Sequence, residues 1–194
     1  KDLANVKGFK TTEGSPLYSE RVARKDDQMV SRLRAAGALF IGKTNTPEFG
    51  LGSNTFNPVY GKTKNPYDLT RTCGGSSGGA AVALATRMLS ISDGSDMMGS
   101  LRNPAAWNNV YGLRPTWGLV PPEPSGEIFL SQLSTLGPMA RSPKDLALLL
   151  DVQANHFDNK SYVSQSKSFS NFTAQPRMKG IKIGWLGDWG GTLT

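Results

Sequence analysis

Between Arg71 and Asn103 the chain reads RTCGGSSGGAAVALATRMLSISDGSDMMGSLRN, two glycine- and serine-rich turns on either side of an apolar run. Six of the first nine residues are Gly or Ser, so the backbone there can take positive φ and come close to a ligand. The run Ala80 to Leu89, AAVALATRML, has high helix propensity and almost no polar face, which predicts a helix buried in a core. Its first turn anchors the Gly-Ser loop. About one helix and one short strand further on comes Ser100, preceded by Gly99 and followed by Leu101, Arg102 and Asn103. Two serine-bearing turns are thereby tethered to one rigid element, an arrangement that favours a serine hydrolase. GGSSGG taken alone reads equally well as a linker or a plain turn.

The 194 residues match one domain or one large piece of a bigger one. No apolar run reaches the length of a membrane span, and the opening KDLANVKGFK has no apolar signal-peptide segment. A cytoplasmic setting is expected. The single cysteine, Cys73, excludes an internal disulfide and fits a reducing compartment. Its place beside the Gly-Ser loop raises a thiol nucleophile, but the only histidine, His156, sits in a polar stretch, and a Cys-His pair needs both. A small packing residue is the better reading of Cys73. A Ser-His-Asp triad could form only through His156. HExxH and CxxC spacings are absent, so no metal site is predicted. The net charge of +7 and pI near 9.6 raise nucleic acid as a partner. Yet the basic residues are scattered. The densest group, Arg21, Arg24, Lys25, Arg32 and Arg34, lies on what reads as a solvated helix without interleaved aromatics, so a basic surface is expected and no nucleic-acid partner.

Along the chain, residues 11–25 are polar with Gly14 and Pro16 and read as a loop. Met29, Val30, Leu33 and Ala36 fall at helical spacing, with Asp26 as cap and Gly37 as stop. ALFIG, residues 38–42, fits a short buried strand. Thr46-Pro47 opens a short helix, and residues 50–72, rich in Gly, Asn and Pro, predict a long irregular loop. Ser90 to Ser92 reads as a strand leading into Asp93-Gly94-Ser95-Asp96, and a helix starting near Ser100 carries Ala105, Ala106 and Trp107 with Pro104 in its first turn. Residues 112–126 form a Pro- and Gly-rich connection. Ser142-Pro143-Lys144-Asp145 is a helix start, with Leu146 to Val152 as its apolar body. Residues 153–179 are polar and weak in pattern, and Ile181, Ile183 and Trp185 alternate as in a strand. These elements predict an α/β fold, a mixed, largely parallel β-sheet covered by helices.

Joined to the second turn, GGSSGG becomes specific. Lys1-Asp2, GKTNTPEF at residues 42–49, GGSSGG at 74–79, GSDMMGSLRNPA at 94–105 and GPMARSPKDLALLLD at 137–151 occur in an order and at spacings that resemble the amidase signature family. KGIKIGWLGD at 179–188 is similar to the family's next strand. The resemblance covers nearly the whole chain and implies a single amidase-signature domain over residues 1–194, an incomplete portion of that fold truncated at both ends.

The resemblance further implies a Ser-cisSer-Lys triad, with Ser100 as nucleophile, Ser76 as bridging serine and Lys1 as base. A serine hydroxyl needs a proton acceptor beside it, and a lysine serves as one only when neutral, which calls for burial. Ser76, both donor and acceptor, can pass the proton between them. By the same resemblance the Gly75-Ser76 peptide bond is cis, and the backbone N-H groups of Met97, Met98, Gly99 and Ser100 form an oxyanion hole. The family pattern has Gly-Gly before the nucleophile, and Met98-Gly99 departs from it. Asp96 and Arg102 match positions that brace the loop, Ser77 reads as a loop hydrogen-bonder, and these three with Gly75 are expected to support the site or to stand near the substrate. Met97, Met98, Trp107 and Trp117 are expected in the core or in a pocket wall. The implied reaction is hydrolysis of a small-molecule carboxylic amide through an acyl-enzyme on Ser100, with no cofactor; a homo-oligomer is compatible with it. Two alternatives stand beside it: a glutaminase-type subunit of a tRNA-dependent amidotransferase, against which Asn103 replaces an expected Gln, and a catalytically inactive fragment acting as a binding module.

Overall fold

The computed structural model describes residues 1–123, 132–154, 168–171, 180–182, 184–185 and 187. Its elements in order are α1 (Gln28–Ala35), β1 (Phe56–Asn57), β2 (Gly61–Lys62), α2 (Gly78–Ala85), β3 (Ile91–Asp96), α3 (Arg102–Trp107), β4 (Tyr111–Gly112), β5 (Thr135–Ala140) and α4 (Pro143–Ala154). Single 3₁₀ turns occupy Pro16–Tyr18 and Glu48–Gly50.

β5 is the middle strand of a three-stranded sheet in the order β3-β5-β4. It pairs with β3 from Ile91 opposite Ala140 to Asp96 opposite Thr135, and with β4 at Tyr111–Ala140 and Gly112–Met139. Both ladders are antiparallel, as is the β1–β2 hairpin. The expected helices and sheet are present, but the pairing among the described residues is antiparallel where parallel pairing was expected to prevail. Side-chain alternation reports which face a residue occupies and carries no information on the direction of the partner strand.

Two apolar clusters flank the sheet. One joins α1 and α4 through Met29, Val30, Leu33, Leu149 and Leu150 with Val6 and Val120. The other is built from Ala80, Ala81 and Leu84 of α2, Leu101, Ala105 of α3 and Met139 of β5. Leu84, Leu101 and Met139 are fully buried, and burial of each side chain contributes about 1.5–3 kcal/mol. The small residues of α2 let other backbone come very close. At Gly79 a Cβ would lie 2.7 Å from the Asn45 carbonyl oxygen and 3.0 Å from its Cα, so only glycine fits and the start of α2 is seated on the 42–49 segment. Asn45 is fixed in turn by Asn57 Nδ2, which donates to its Oδ1 at 2.6 Å, and by its own donation to Thr63 at 3.0 Å.

Helix α1 ends as expected, with the N-H groups of Gly37 and Ala38 returning to Arg34 and Leu33. Its cap position is Asp27 and not Asp26; Asp26 instead accepts from Lys7 and pairs with Arg34. Arg32, expected on a solvated face, is buried and donates to the Gln153 carbonyl at 2.8 Å. The 38–42 segment forms no strand. Its alternation is real, with Ala38 and Phe40 packed on the first cluster while Leu39 and Ile41 are 91% and 74% exposed, but no described strand lies alongside to pair with it. The loop expected over 50–72 contains the β1–β2 hairpin. Helix α4 starts at Pro143 as expected, and Ser142 Oγ accepts from the Asp145 N-H at 3.1 Å. His156 and Ile183 lie outside the described residues, so the expected strand through Ile181, Ile183 and Trp185 falls partly there. Among the described residues no helix is long and apolar enough to cross a membrane.

Candidate active site

The loop Gly74–Ser77 is clamped from three sides. Thr55 donates its N-H and its hydroxyl to the Gly74 carbonyl, at 3.1 and 2.8 Å, and its Oγ1 accepts from Gly78 N-H at 3.1 Å. A Cβ on Gly75 would meet the backbone of Ser53 and Asn54 at 2.9 Å. The Gly75-Ser76 bond is cis, as expected. Ser77 donates its N-H to the Ser100 carbonyl at 3.2 Å, which ties the first serine turn to the second.

Lys1, only 4% exposed, reaches this junction. Its Nζ lies 2.6 Å from Ser76 Oγ, 2.8 Å from Ser95 Oγ and 3.1 Å from Ser77 Oγ. As an ammonium it donates to all three. As a neutral amine it keeps two N-H donors and gains one lone pair, which can accept from the nearest hydroxyl, Ser76. Burial drives its pKa from the ordinary 10.5 down to about 7, against the opposing pull of Asp93 and Asp96. The two forms are therefore close in population at neutral pH.

Lys1, Ser76 and Ser77 thus come together as expected. Ser100 stands beside them through the backbone link; its hydroxyl is half-buried and makes no hydrogen bond among the described residues. Asp96 is fully buried and braces the nucleophile turn, accepting from Gly99 N-H at 2.7 Å, Leu101 N-H at 3.1 Å and both guanidinium arms of Arg102 at 3.0 and 3.1 Å. Burial raises the Asp96 pKa, but the donors from Arg102, Gly99 and Leu101 outweigh it and hold the carboxyl below its ordinary value. Arg114 approaches the same carboxylate at 3.5 Å.

The four N-H groups expected to receive an oxyanion are not equivalent. Gly99 spends its N-H on Asp96, whereas those of Met97, Met98 and Ser100 meet no acceptor among the described residues. Met97, Met98 and Trp107, expected in the core or a pocket wall, are exposed, Met98 by 81%. Cys73 is fully buried with its thiol pKa pushed up by burial, and its Sγ points at the Thr63 carbonyl, a packing residue and not an activated thiol.

Three residues around Lys1 were missed in the sequence. Asp93 and Ser95 sit two apart on β3 and so on one face, where Asp93 accepts from the Lys1 main-chain nitrogen at 3.0 and 3.1 Å. The alternation of β3 could have shown them. Lys43, paired with Asp2 at 2.7 Å, gave no such sign. A cavity of about 380 Å³ also borders Lys1, walled by Asp93, Ser95, Trp117, Thr135 and Leu136. None of Ser76, Ser77 and Ser100 lines it.

The chain is similar to known proteins along most of its length. A family profile described as Amidase matches residues 1–192. The chain is similar to a glutamyl-tRNA(Gln) amidotransferase subunit of Coxiella burnetii, 43% identical over 187 residues that cover 95% of this chain and 38% of that protein. With the counterpart of that subunit in Thermus thermophilus it shares 49% identity over 155 residues, 79% of this chain and 32% of the other. Among solved structures, 6-aminohexanoate cyclic dimer hydrolase superposes with a TM-score of 0.81 at 35% identity, covering 88% of this chain and 37% of that one. The native peptide amidase of Stenotrophomonas maltophilia does so with 0.77 at 36% identity, covering 87% and 36%. The chain thus spans 38% or less of the length of these curated relatives, and its antiparallel sheet and helices are part of the fold that the solved structures share. The chain belongs to the amidase family and carries the amidase-signature fold.

Proposed function

We propose that the protein hydrolyses a carboxylic amide through an acyl-enzyme on Ser100. The observation that carries this reading is the buried Lys1 amine, 2.6 Å from Ser76 Oγ and with a pKa lowered to about 7, where a proton acceptor for serine chemistry is best placed. Neutral Lys1 takes the Ser76 proton as Ser76 takes that of Ser100, and Ser100 Oγ attacks the amide carbon. The carbonyl oxygen becomes an oxyanion, received by the N-H groups of Met97, Met98 and Ser100. The proton then returns from Lys1 through Ser76 to the nitrogen, the C-N bond breaks, and ammonia or an amine leaves. Water, giving its proton to the same relay, attacks the acyl carbon. The Ser100 ester opens to a carboxylic acid, and Ser100 regains its proton through Ser76.

A second reading has its own support. The relatives at 43% and 49% identity are named as glutamyl-tRNA(Gln) amidotransferase subunits, which favours glutamine as the amide and transfer of its ammonia to a partner protein. Asn103, where Gln is expected for such a subunit, weighs for the free-standing hydrolase. Either reaction is placed in the cytoplasm, in keeping with the free thiol of buried Cys73. Fluorophosphonate labelling of the full-length protein followed by peptide mapping tests the shared step. An adduct on Ser100, with hydrolysis of simple amides lost in Ser100→Ala, is expected; undiminished hydrolysis in that variant contradicts the triad, and a parent that neither labels nor hydrolyses amides is a binding module. Glutamine hydrolysis that appears only with partner subunits selects the second reading.

A further inference from the structure

Asp2 follows Lys1 directly, and its carboxylate points away from the serines into a second buried cluster. There it accepts from Thr12 N-H at 3.3 and 3.2 Å, from Thr12 Oγ1 at 2.5 Å and from Lys43 Nζ at 2.7 Å. Lys43 also donates to Thr11 Oγ1 at 2.7 Å, and both partners are nearly inaccessible, with side chains 8% and 4% exposed. Asp2 N-H donates to the Thr44 carbonyl at 3.0 Å, so the segment carrying Lys43 grips the main chain of the Lys1 segment as well. Burial lowers the Lys43 pKa, and Asp2 opposes that fall.

The carboxylates that act on the Lys1 amine are Asp93 and Asp96 on β3; Asp27 and Glu123 stand in the wall of the adjoining cavity, and Asp2 is the next residue along the chain. Arg102 and Arg114 answer Asp96, and Lys43 answers Asp2. We propose that Lys43 is a positioning residue for Lys1: its ammonium makes a neutral pair with Asp2, which fixes the Lys1 main chain and keeps the Asp2 charge from acting on the Lys1 amine. A buried ion pair of this kind is stable as a pair and costly when half of it is removed. In Lys43→Met the bare carboxylate one residue from Lys1 favours the ammonium form and withdraws the base.

This inference rests on the Lys1–Ser76–Ser100 relay, and the test separates the two. The rate of fluorophosphonate labelling of Ser100 is followed against pH in the full-length protein. In Lys43→Met the midpoint of the acid limb is expected to rise by about one pH unit, so that labelling at pH 7 falls about five-fold. The double variant Asp2→Asn/Lys43→Met removes both charges and is expected to return the midpoint to that of the parent. A single variant with the parent midpoint, or a double variant displaced as far as the single, overturns the proposal. If Lys43→Met does not fold, Lys43→Gln, which keeps an N-H donor toward Asp2 and removes the charge, is read in its place by the same criterion. Failure of the parent to label at Ser100, or labelling of Lys1→Met at the parent rate, is a different result, which removes the relay and this inference with it.

Discussion

Replacing Lys1 by methionine should abolish catalysis and, near neutral pH, make the protein more stable. The folded pKa of about 7 lies far below the ordinary 10.5, so between these values the unfolded chain binds a proton that the folded one has released. Stability therefore rises with pH across that window. At about 1.4 kcal/mol per pH unit, burying the lysine costs about 5 kcal/mol below pH 7 and nothing above 10.5. Methionine fills the same volume without that cost but forgoes the contacts with Ser76, Ser77 and Ser95, together about 1–3 kcal/mol. The net expectation for Lys1→Met just below pH 7 is a gain of about 2–4 kcal/mol that shrinks with rising pH and becomes a loss between about pH 8 and pH 10. Urea denaturation of the full-length parent and variant at pH 6, 8 and 10 measures this directly. A difference that does not change with pH would show that Lys1 is no buried, readily deprotonated base.

Other outcomes follow from the contacts around it. Ser95→Ala removes one of the two acceptors that orient the neutral amine toward Ser76, and labelling of Ser100 at pH 8 should slow about ten-fold, equivalent to about 1.4 kcal/mol. Asp96→Asn removes the buried acceptor of the Gly99 and Leu101 N-H groups and the counter-charge of the solvent-exposed Arg102, and a loss of about 1–3 kcal/mol is expected in chemical denaturation. Gly79→Ala drives a methyl group into the Asn45 backbone, which separates α2 from the 42–49 segment and should cost about 2 kcal/mol or more in the same experiment. Met98→Gly trims an exposed side chain that is not among the contacts of the Lys1 amine, so the KM for amides of different size should change while the midpoint of the acid limb of kcat/KM stays in place.

How far the site could be seen beforehand depended on the kind of signal each residue carried. Ser76, Ser100 and Lys1 were singled out only because three blocks far apart in sequence together resemble one family, whereas Ser142-Pro143 was legible because capping is a local matter. Ser95 and Asp93 were within reach, since strand alternation puts both on the face that Lys1 meets. Lys43 and Arg114 were not. An isolated cation gives no hint of which buried carboxylate it will answer, and Asp2 and Asp96 find theirs only through the tertiary fold. Arg32 misled for the same reason, a charged residue drawn into the contact between α1 and α4 by a carbonyl 121 positions away. ALFIG failed as a strand because extended alternation is only half of a ladder, and the other half has to come from another segment. Gly99 is a narrower case. Its place before the nucleophile suggested a free N-H, whereas Asp96, three residues earlier, had already claimed it.

The central claim is that the buried Lys1 amine draws the proton of Ser100 through Ser76. The pH dependence of Ser100 phosphonylation in the full-length parent, Lys1→Met and Ser76→Ala, with the adduct located by peptide mass mapping, tests it most directly. The relay predicts an adduct on Ser100, a single-proton acid limb centred near pH 7 in the parent, and labelling at least about 100-fold slower in both variants. An adduct on another residue, or variants that label as fast as the parent across the same pH range, would contradict it.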